Sequence, residues 1–341
     1  MGLERKILLT PKQSGSLPYN PRMTNIEIIV PFALPPSEHA KDLLAELQLP
    51  GFARLLAHAK RGQQHKSAAF APALPHEQYL ANSMADNSPA IAKAVMQSLG
   101  IAEQGHWFLL QAASLHIARD HLVLTDRRQL DLSDAESRSL FDIALPFIND
   151  SGFDLRYGDA GNWFLRADEW KGLRTCTPDA ACGHNIDIWL PTGEGERGWR
   201  KLLNELQMLW HTHPVNDARE ARGARRINSA WLWGGADEVR PTAGIELLAR
   251  SALNQHQPQS ESALLDRLIA PALAGDWANW LHEFAQLEQT CFAPVCAALK
   301  ESKINSVTLV LSDSSRLQTW NASRASMRKF WIKPSLARLA S

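Results

Sequence analysis

The chain has 341 residues, with 36 basic and 36 acidic side chains, 45% hydrophobic content and 21% charged content. Those values belong to a folded globular protein of about two domains. Zero formal net charge argues against a molecule whose main task is to grip nucleic acid or an anionic membrane, so any such contact has to be local. No apolar run approaches the length of a membrane span, and the N-terminus lacks the apolar core of a secretory signal, so a cytoplasmic location is expected. The spacings of Cys176, Cys182, Cys291 and Cys296 match neither a zinc site nor a redox CxxC, and reduced thiols are expected. The 12 Trp residues fall largely at helical or strand periodicity, where core packing accounts for them.

Residues 1–23 are polar and broken by Pro11, Gly15, Pro18 and Pro21, which predicts a disordered tail. Asn25 to Val30 reads as a strand that ends in a rigid apolar loop, Pro31 to Pro36. Ser37 is placed to cap a helix whose Ala40, Leu43, Leu44 and Leu47 share a face, and Pro50-Gly51 opens a second helix carrying Phe52, Leu55 and Leu56. Strand, loop and helix in this order suggest an α/β domain. Gly62 to Asn87 shows no periodicity and reads as irregular. Ser88-Pro89 then opens a helix with Ile91, Val95 and Leu99 inward and Gly100 at its end.

From Trp107 the texture changes to short strands, WFLLQ, SLHIAR and HLVLT, the last ending in Asp126-Arg127-Arg128. Ser133 with Glu136 forms a capping box, and FDLRY and NWFLR form a hairpin around Gly158 to Gly161. With a strand over Ile186 to Leu190, residues 106–191 read as a compact α+β insertion. Residues 192–227 carry a helix with Trp199, Leu202, Leu203, Leu206, Leu209 and Trp210 in one stripe. It is expected to stop at His213-Pro214 and to give way to a polar, Arg-rich connection. Asn228 to Trp233 reads as a strand packed on both faces, followed by Gly234 and Gly235, where the chain turns or another group comes close. Beyond it, Ala236 to Gln259 reads as loop-like, Ser260 to Leu273 as a helix, Trp277 to Val295 as helical and Val307 to Leu311 as a buried strand. The basic C-terminus from Arg324 receives no assignment.

His211 and His213 have the residue type of metal ligands, but no acidic or Cys partner lies at ligand spacing, and helix-dipole partners are the better reading. Arg219, Arg222, Arg225 and Arg226 offer a place for a phosphate or carboxylate, against the plainer reading of a solvated loop. Asp126-Arg127-Arg128 offers a fork for a phosphorylated ligand, against a surface turn. The glycine-rich pieces lack the context of a Walker or dinucleotide loop and read as turns. Neither GxSxG nor HExxH occurs.

Several of these pieces together, WFLLQ…DRR, NWFLR, Thr175-Cys176-Thr177-Pro178-Asp179, LLNELQML, and His213-Pro214-Val215-Asn216 with Arg219, Gly223 and Asn228-Ser229-Ala230-Trp231-Leu232-Trp233-Gly234, resemble the archaeal-type cofactor-independent phosphoglycerate mutases of the alkaline phosphatase superfamily. The Pro31 to Pro36 start and the Trp-rich helix before VTLVL are similar to the RpfE-type regulatory proteins. The resemblance covers roughly residues 24–315 and is most specific over His213, Pro214, Asn216, Asn228, Trp231 and Gly234. It implies an alkaline-phosphatase-like discontinuous α/β core, 24–105 with 228–341, carrying the insertion as a cap.

In the mutases the first strand runs into an Asp-rich metal loop. Here Pro31 to Pro36 stand in that place and bring no side-chain oxygen for a cation, and Asp313-Ser314 stands where the mutases carry an Asp-His pair. Arg127 and Arg128 match the family's substrate-side DRR. The resemblance thus implies a regulatory or ligand-binding relative without metal, cofactor or catalysis, holding an anion through Arg127, Arg128, Arg219 or Asp313. The alternative is an enzyme of altered chemistry on a phosphorylated small molecule, using Arg127, Arg128 and Asp313 without the usual metals. A third reading, a protein-interaction module, rests on the apolar loop Phe32 to Pro36. Membranes and nucleic acids are not expected partners.

Overall fold

The computed structural model describes residues 25–83, 86–255 and 261–340; the expected tail lies outside them. Strand β1 (Asn25–Val30) forms where the alternation ends in a fully apolar run, and its last three residues are buried. Helix α1 (Ala40–Glu46) starts after His39 and not after Ser37, with no side-chain cap. Helix α2 (Pro50–His58) is capped from far along the chain: the Glu288 carboxylate accepts from the N–H groups of Gly51 (2.7 Å) and Phe52 (3.0 Å), two of the donors a helix start leaves free. A Cβ on Gly51 would lie 2.7 Å from the Cα of Ala293, so this approach requires glycine.

The stretch read as irregular contains β2 (Lys60–Lys66) and α3 (Pro75–Ala81). KRGQQHK carries no apolar alternation because β2 is an edge strand with nearly every side chain exposed, and lysines on an edge discourage pairing with other chains. Then come α4 (Ala92–Ser98), β3 (Trp107–Ala113), β4 (Leu115–Ala118), β5 (His121–Leu124) and α5 (Asp134–Asp150), the last with the expected Ser133–Glu136 capping box. The hairpin is β6 (Asp154–Asp159) with β7 (Asn162–Arg166). After β8 (Leu173–Arg174) and α6 (Pro178–Ala181), the strand expected over Ile186 to Leu190 is instead a 3₁₀ turn, Ile186–Ile188, because the Asn185 side chain accepts from the Asp187 N–H and closes an Asx turn.

β9 (Thr192–Gly193) leads into α7 (Glu196–His211), and the Arg-rich connection turns out to be a helix, α8 (Pro214–Ala221), whose first position Pro214 occupies. β10 (Ser229–Ala236) follows. The segment read as loop-like contains α9 (Ala243–Ala252), and the helix expected from Ser260 is a short strand, β11 (Ser262–Leu264), before α10 (Ile269–Ala274). Ser260 itself lies outside the described residues. α11 (Trp277–Leu287), a π-helical turn (Glu288–Phe292) that carries the capping carboxylate, and α12 (Ala293–Lys300) complete the Trp-rich helical stretch. β12 (Ser306–Ser312), β13 (Arg316–Ser323) and α13 (Arg324–Met327) end the regular structure.

The protein is α/β with a discontinuous core. One five-stranded sheet runs β11-β1-β12-β13-β2, built from the two ends of the described chain, with β1 parallel to β11 and β12. A four-stranded antiparallel sheet, β10-β3-β7-β6, comes from the middle. β10 therefore does not return the chain to the first sheet, as the boundary at residue 228 supposes; that return comes at β11. The reason is legible in its alternation. Trp231 and Trp233 face the large core shared with the first sheet, while Ala230 and Leu232 face a second core under α5 and α7. Gly234, at φ 72, makes the bulge where β10 slips against β3, so the glycine pair bends the strand without ending it.

Candidate functional site

β1 and β12 pair in register from Asn25↔Ser306 to Val30↔Leu311, so their C-terminal ends lie side by side, the edge where open α/β sheets bind ligands. Here that edge is filled. Phe32, at φ 57, folds the loop back, and Phe32, Ala33 and Leu34 are all at most 8% exposed. Trp280 Nε1–H donates to the Phe32 carbonyl (2.9 Å) and the Leu34 N–H to the Ser312 carbonyl (3.2 Å). The Ser312 hydroxyl is buried without a hydrogen-bond partner, a single neutral oxygen. Asp313 turns away: its carboxylate accepts from Ser315 N–H (2.7 Å), Arg316 N–H (2.8 Å) and Arg316 Nε (2.8 Å), closing the β12–β13 hairpin. Among the described residues no group of three or more His, Cys, Asp or Glu side chains is placed to hold a metal. This donor set does not fit the two-cation site implied by the mutases, which needs several carboxylates and histidines.

Arg127 and Arg128 border a cleft of ≈ 230 Å³, together with Gln111, Ala160, Gly161 and Asn254. Arg127 reaches the end of α9, donating to the carbonyls of Ser251 (3.1 Å) and Ala252 (3.4 Å), at the negative end of the helix dipole. Arg128 is forked onto Asp179 (3.0 and 2.5 Å) and also meets Asp126 (2.9 Å). Its guanidinium thus joins the turn after β5 to the start of α6. Gln111 donates to Asn162 (2.8 Å), and Asn162 donates to the Ala252 carbonyl (3.1 Å), so the cleft floor is a wired polar layer. Asp313 does not line the cleft, and the three-residue constellation of Arg127, Arg128 and Asp313 is not brought together.

The remaining predicted residues are architectural. Arg219 is fully buried in α8 and does not face a ligand. Its Nε donates to the Arg225 carbonyl (2.8 Å), its fork reaches the Leu130 and Asp131 carbonyls, and it pairs with Glu136 (2.9 Å). Burial opposes ionisation of Glu136, but hydrogen bonds from Arg222 and Ser133 and the Arg219 charge outweigh it and lower the carboxyl to about 2. His213 caps α8, its Nδ1 accepting from the Val215 N–H (3.3 Å). Asn216 donates to the Trp210 and Ile227 carbonyls (both 2.8 Å) and accepts from the Ile227 N–H (2.7 Å), stapling the end of α7 to the entry of β10. Asn228 exchanges two hydrogen bonds with the Leu115 backbone. Trp231 Nε1–H donates to the Cys176 carbonyl (2.9 Å), and the Gly234 N–H to Ser88 Oγ (3.0 Å). Within the run from His213 to Gly234, Asn216, Arg219, Asn228, Trp231 and Gly234 each tie two elements together.

Sequence reasoning missed a buried ionic junction behind Arg128. Thr177 caps α6 and donates to Glu77 Oε2 (2.7 Å), which also accepts from the Leu74 N–H (2.7 Å). Burial, reinforced by the nearby Asp179 charge, pushes the Glu77 carboxyl well above the ordinary carboxylate range, whereas Arg128 holds Asp179 low against burial. Burial lowers the neighbouring His76 to about 4, so its ring is neutral near pH 7. The available signal was Pro75-His76-Glu77 at a helix start and Thr177-Pro178-Asp179 at another, two cap signatures with no sequence-level hint that they meet. The four cysteines are free, and burial raises Cys182 and Cys291 to about 12, which leaves those thiols unreactive.

No family model matches the chain. A Geobacter sulfurreducens protein described as a probable 2,3-bisphosphoglycerate-independent phosphoglycerate mutase is 29% identical over 151 residues, 43% of this chain and 37% of that protein. The 2,3-bisphosphoglycerate-independent phosphoglycerate mutase of Methanosarcina mazei is 26% identical over 136 residues, 39% of this chain and 34% of that protein. Part of this chain is thus similar in sequence to phosphoglycerate mutases. It spans little more than a third of the length of these curated relatives, 37% and 34%. Among solved structures, the cofactor-independent phosphoglycerate mutase of Thermoplasma acidophilum superposes with a TM-score of 0.42 at 14% identity, covering 94% of this chain and 95% of that one. A Pyrococcus horikoshii protein gives 0.46 at 10% identity, covering 88% and 87%. No helix among the described residues is long and apolar enough to cross a membrane.

Proposed function

We propose that this protein is a regulatory or ligand-binding relative of the cofactor-independent phosphoglycerate mutases, of the RpfE type, that does not carry out metal-dependent phosphoryl transfer. The observation that carries this reading is the filled strand edge: Phe32, Ala33 and Leu34 pack where cation-binding carboxylates are needed, and Asp313 is committed to its own hairpin. The sequence similarity to phosphoglycerate mutases supports the descent. The cleft beside Arg127 is the place for a small phosphorylated or carboxylated ligand, since a guanidinium presents several donors to such an anion.

Metal analysis of the purified protein, run with mutase and phosphatase assays on phosphoglycerate, tests the reading. The expected result is neither stoichiometric metal nor turnover; stoichiometric Mn or Zn with turnover overturns it. A thermal-shift titration with phosphoglycerate tests the cleft, with stabilisation in the native protein and none in Arg127→Ala.

A further inference from the structure

The charge of the chain is balanced overall but not in space. Between Glu46 and Glu77 there is no acidic residue and there are four basic ones, Arg54, Lys60, Arg61 and Lys66. After Asp313 there is again none, against Arg316, Arg324, Arg328, Lys329, Lys333 and Arg338. All 36 acidic residues therefore lie elsewhere in the chain. The fold brings these two stretches together. β13 pairs with β2, His58 Nε2 lies 3.1 Å from the Lys329 carbonyl, the Ser335 N–H donates to the Ala53 carbonyl (3.4 Å), and Arg338 donates to the Leu56 and Ala59 carbonyls. Arg61 and Arg338 both lie over the Trp320 ring.

From this face projects Arg328-Lys329-Phe330-Trp331-Ile332-Lys333, just beyond α13. The backbone is held, with Lys329 N–H bonded to Ser326, Ile332 N–H to Lys329 and the Lys329 carbonyl against His58. The rings are not covered: Phe330 is 89% and Trp331 67% exposed, and they meet edge to face at 5.2 Å. Leaving two adjacent aromatic side chains in water forgoes the burial that normally places them inside. Arg328, Lys329 and Lys333 flank them and are exposed.

We propose that this face docks on an anionic phospholipid surface, with Phe330 and Trp331 entering the headgroup–acyl boundary and the flanking cations meeting the lipid phosphates. Aromatic residues with Lys and Arg are the combination that seats a segment in that boundary, and each cation near such a surface strengthens binding about fivefold. Single-stranded nucleic acid, whose bases also stack on exposed rings beside cations, is the other occupant that the test distinguishes. The rest of the chain, with 26 basic against 36 acidic residues, is net negative, which makes the contact local and salt-sensitive.

Cosedimentation of the full chain with vesicles tests this, using phosphatidylcholine alone and phosphatidylcholine with about one-quarter phosphatidylglycerol. The full chain should bind the anionic vesicles and not the neutral ones, less so as salt rises. Phe330→Ser with Trp331→Ser should weaken binding about tenfold or more. Arg328→Gln with Lys329→Gln should weaken it about 25-fold. Both variants should melt as the native protein does, and Lys333→Gln, about fivefold weaker, replaces either one that does not. Leu122→Ser, an exposed leucine elsewhere, should bind unchanged. Absence of binding to anionic vesicles, equal binding to neutral ones, or folded variants that bind like the native chain overturns the proposal. So does binding of an oligothymidylate by a protein that ignores vesicles.

Discussion

The loop after β1 and the cleft beside Arg127 are both places where polar chemistry belongs in an α/β protein, and they are built in opposite ways. The loop is packed with Phe32, Ala33 and Leu34, and its polar contacts are backbone carbonyls and N–H groups already bonded to Trp280 and Ser312. The cleft and the junction behind it keep Arg127 bonded to the end of α9, Arg128 paired with Asp126 and Asp179, Glu77 bonded to Thr177, and His76 buried beside them. The difference teaches that charge survives here where it is paired across elements, as Arg128 and Asp179 join the turn after β5 to α6, and is absent where only a bound cation would give it a partner. Burying unpaired charge costs several kcal/mol, so a strand edge without a cation is more stable apolar, while a paired junction is stable without any ligand.

The sharpest break of this contrast is to put charge into the loop. Leu34→Asp should lower unfolding stability by more than ~3 kcal/mol in urea melts, because it removes a buried side chain and leaves a carboxylate without a partner. A native-like melt would show that the loop is not a packed plug. The reverse operation in the junction comes next. Asp179→Asn halves the partnership of Arg128, whose side chain is 25% exposed, and should cost ~2–4 kcal/mol, read from the same melts. Arg127→Ala is smaller, ~1 kcal/mol for two hydrogen bonds to a helix end that water can in part replace, and the same variant erases any phosphoglycerate-dependent shift.

Much of the fold could be read in advance where hydrophobic period and cap chemistry agree. β1, α2, β3, the β6–β7 hairpin, the Ser133–Glu136 box and the α7 stripe are all apolar patterns closed on one side by a partner close in sequence or by the core. The elements that escaped owe their structure to distant partners. β2 is polar because it lies on the edge and pairs only with β13, 250 or more residues later, Lys66 with Arg316. β11 is three residues long and exists through its parallel pairing with β1. α8 looked like a solvated charge run, yet Arg219 and Asn216 are buried because Glu136 and the Ile227 backbone wait for them. The site divides along the same line: Arg127 and Arg128 were visible as a motif, whereas the roles of Asp179, Glu77 and His76 arise only when α3 and α6 meet.

The smallest effect sharpens the contrast through pH, since the junction titrates and the apolar loop does not. Two neighbouring groups there carry opposite linkage. His76 is lowered to about 4 from 6.5, so its contribution is complete above about 6.5 and is lost as pH falls toward 4, when the unfolded chain takes up the proton first. Glu77 is raised from 4.5, so its contribution is complete below about 4.5 and is lost as pH rises through its folded value, when the unfolded chain ionises first. Between about pH 4.5 and 6.5 the two slopes oppose each other, each at most ~1.4 kcal/mol per pH unit. The His76 and Glu77 contributions should therefore largely cancel there in the native protein, leaving the slope to other groups such as His106 and His116, which burial also lowers. Glu136, lowered to about 2, loses its contribution only as pH falls below about 4.5 and stays out of this window. Against the native slope, His76→Asn should tilt stability toward falling with rising pH, and Glu77→Gln toward falling with falling pH, in urea melts taken across the window. Changes of slope of the same sign in the two variants would mean that the junction does not hold a neutral histidine beside a protonated glutamate.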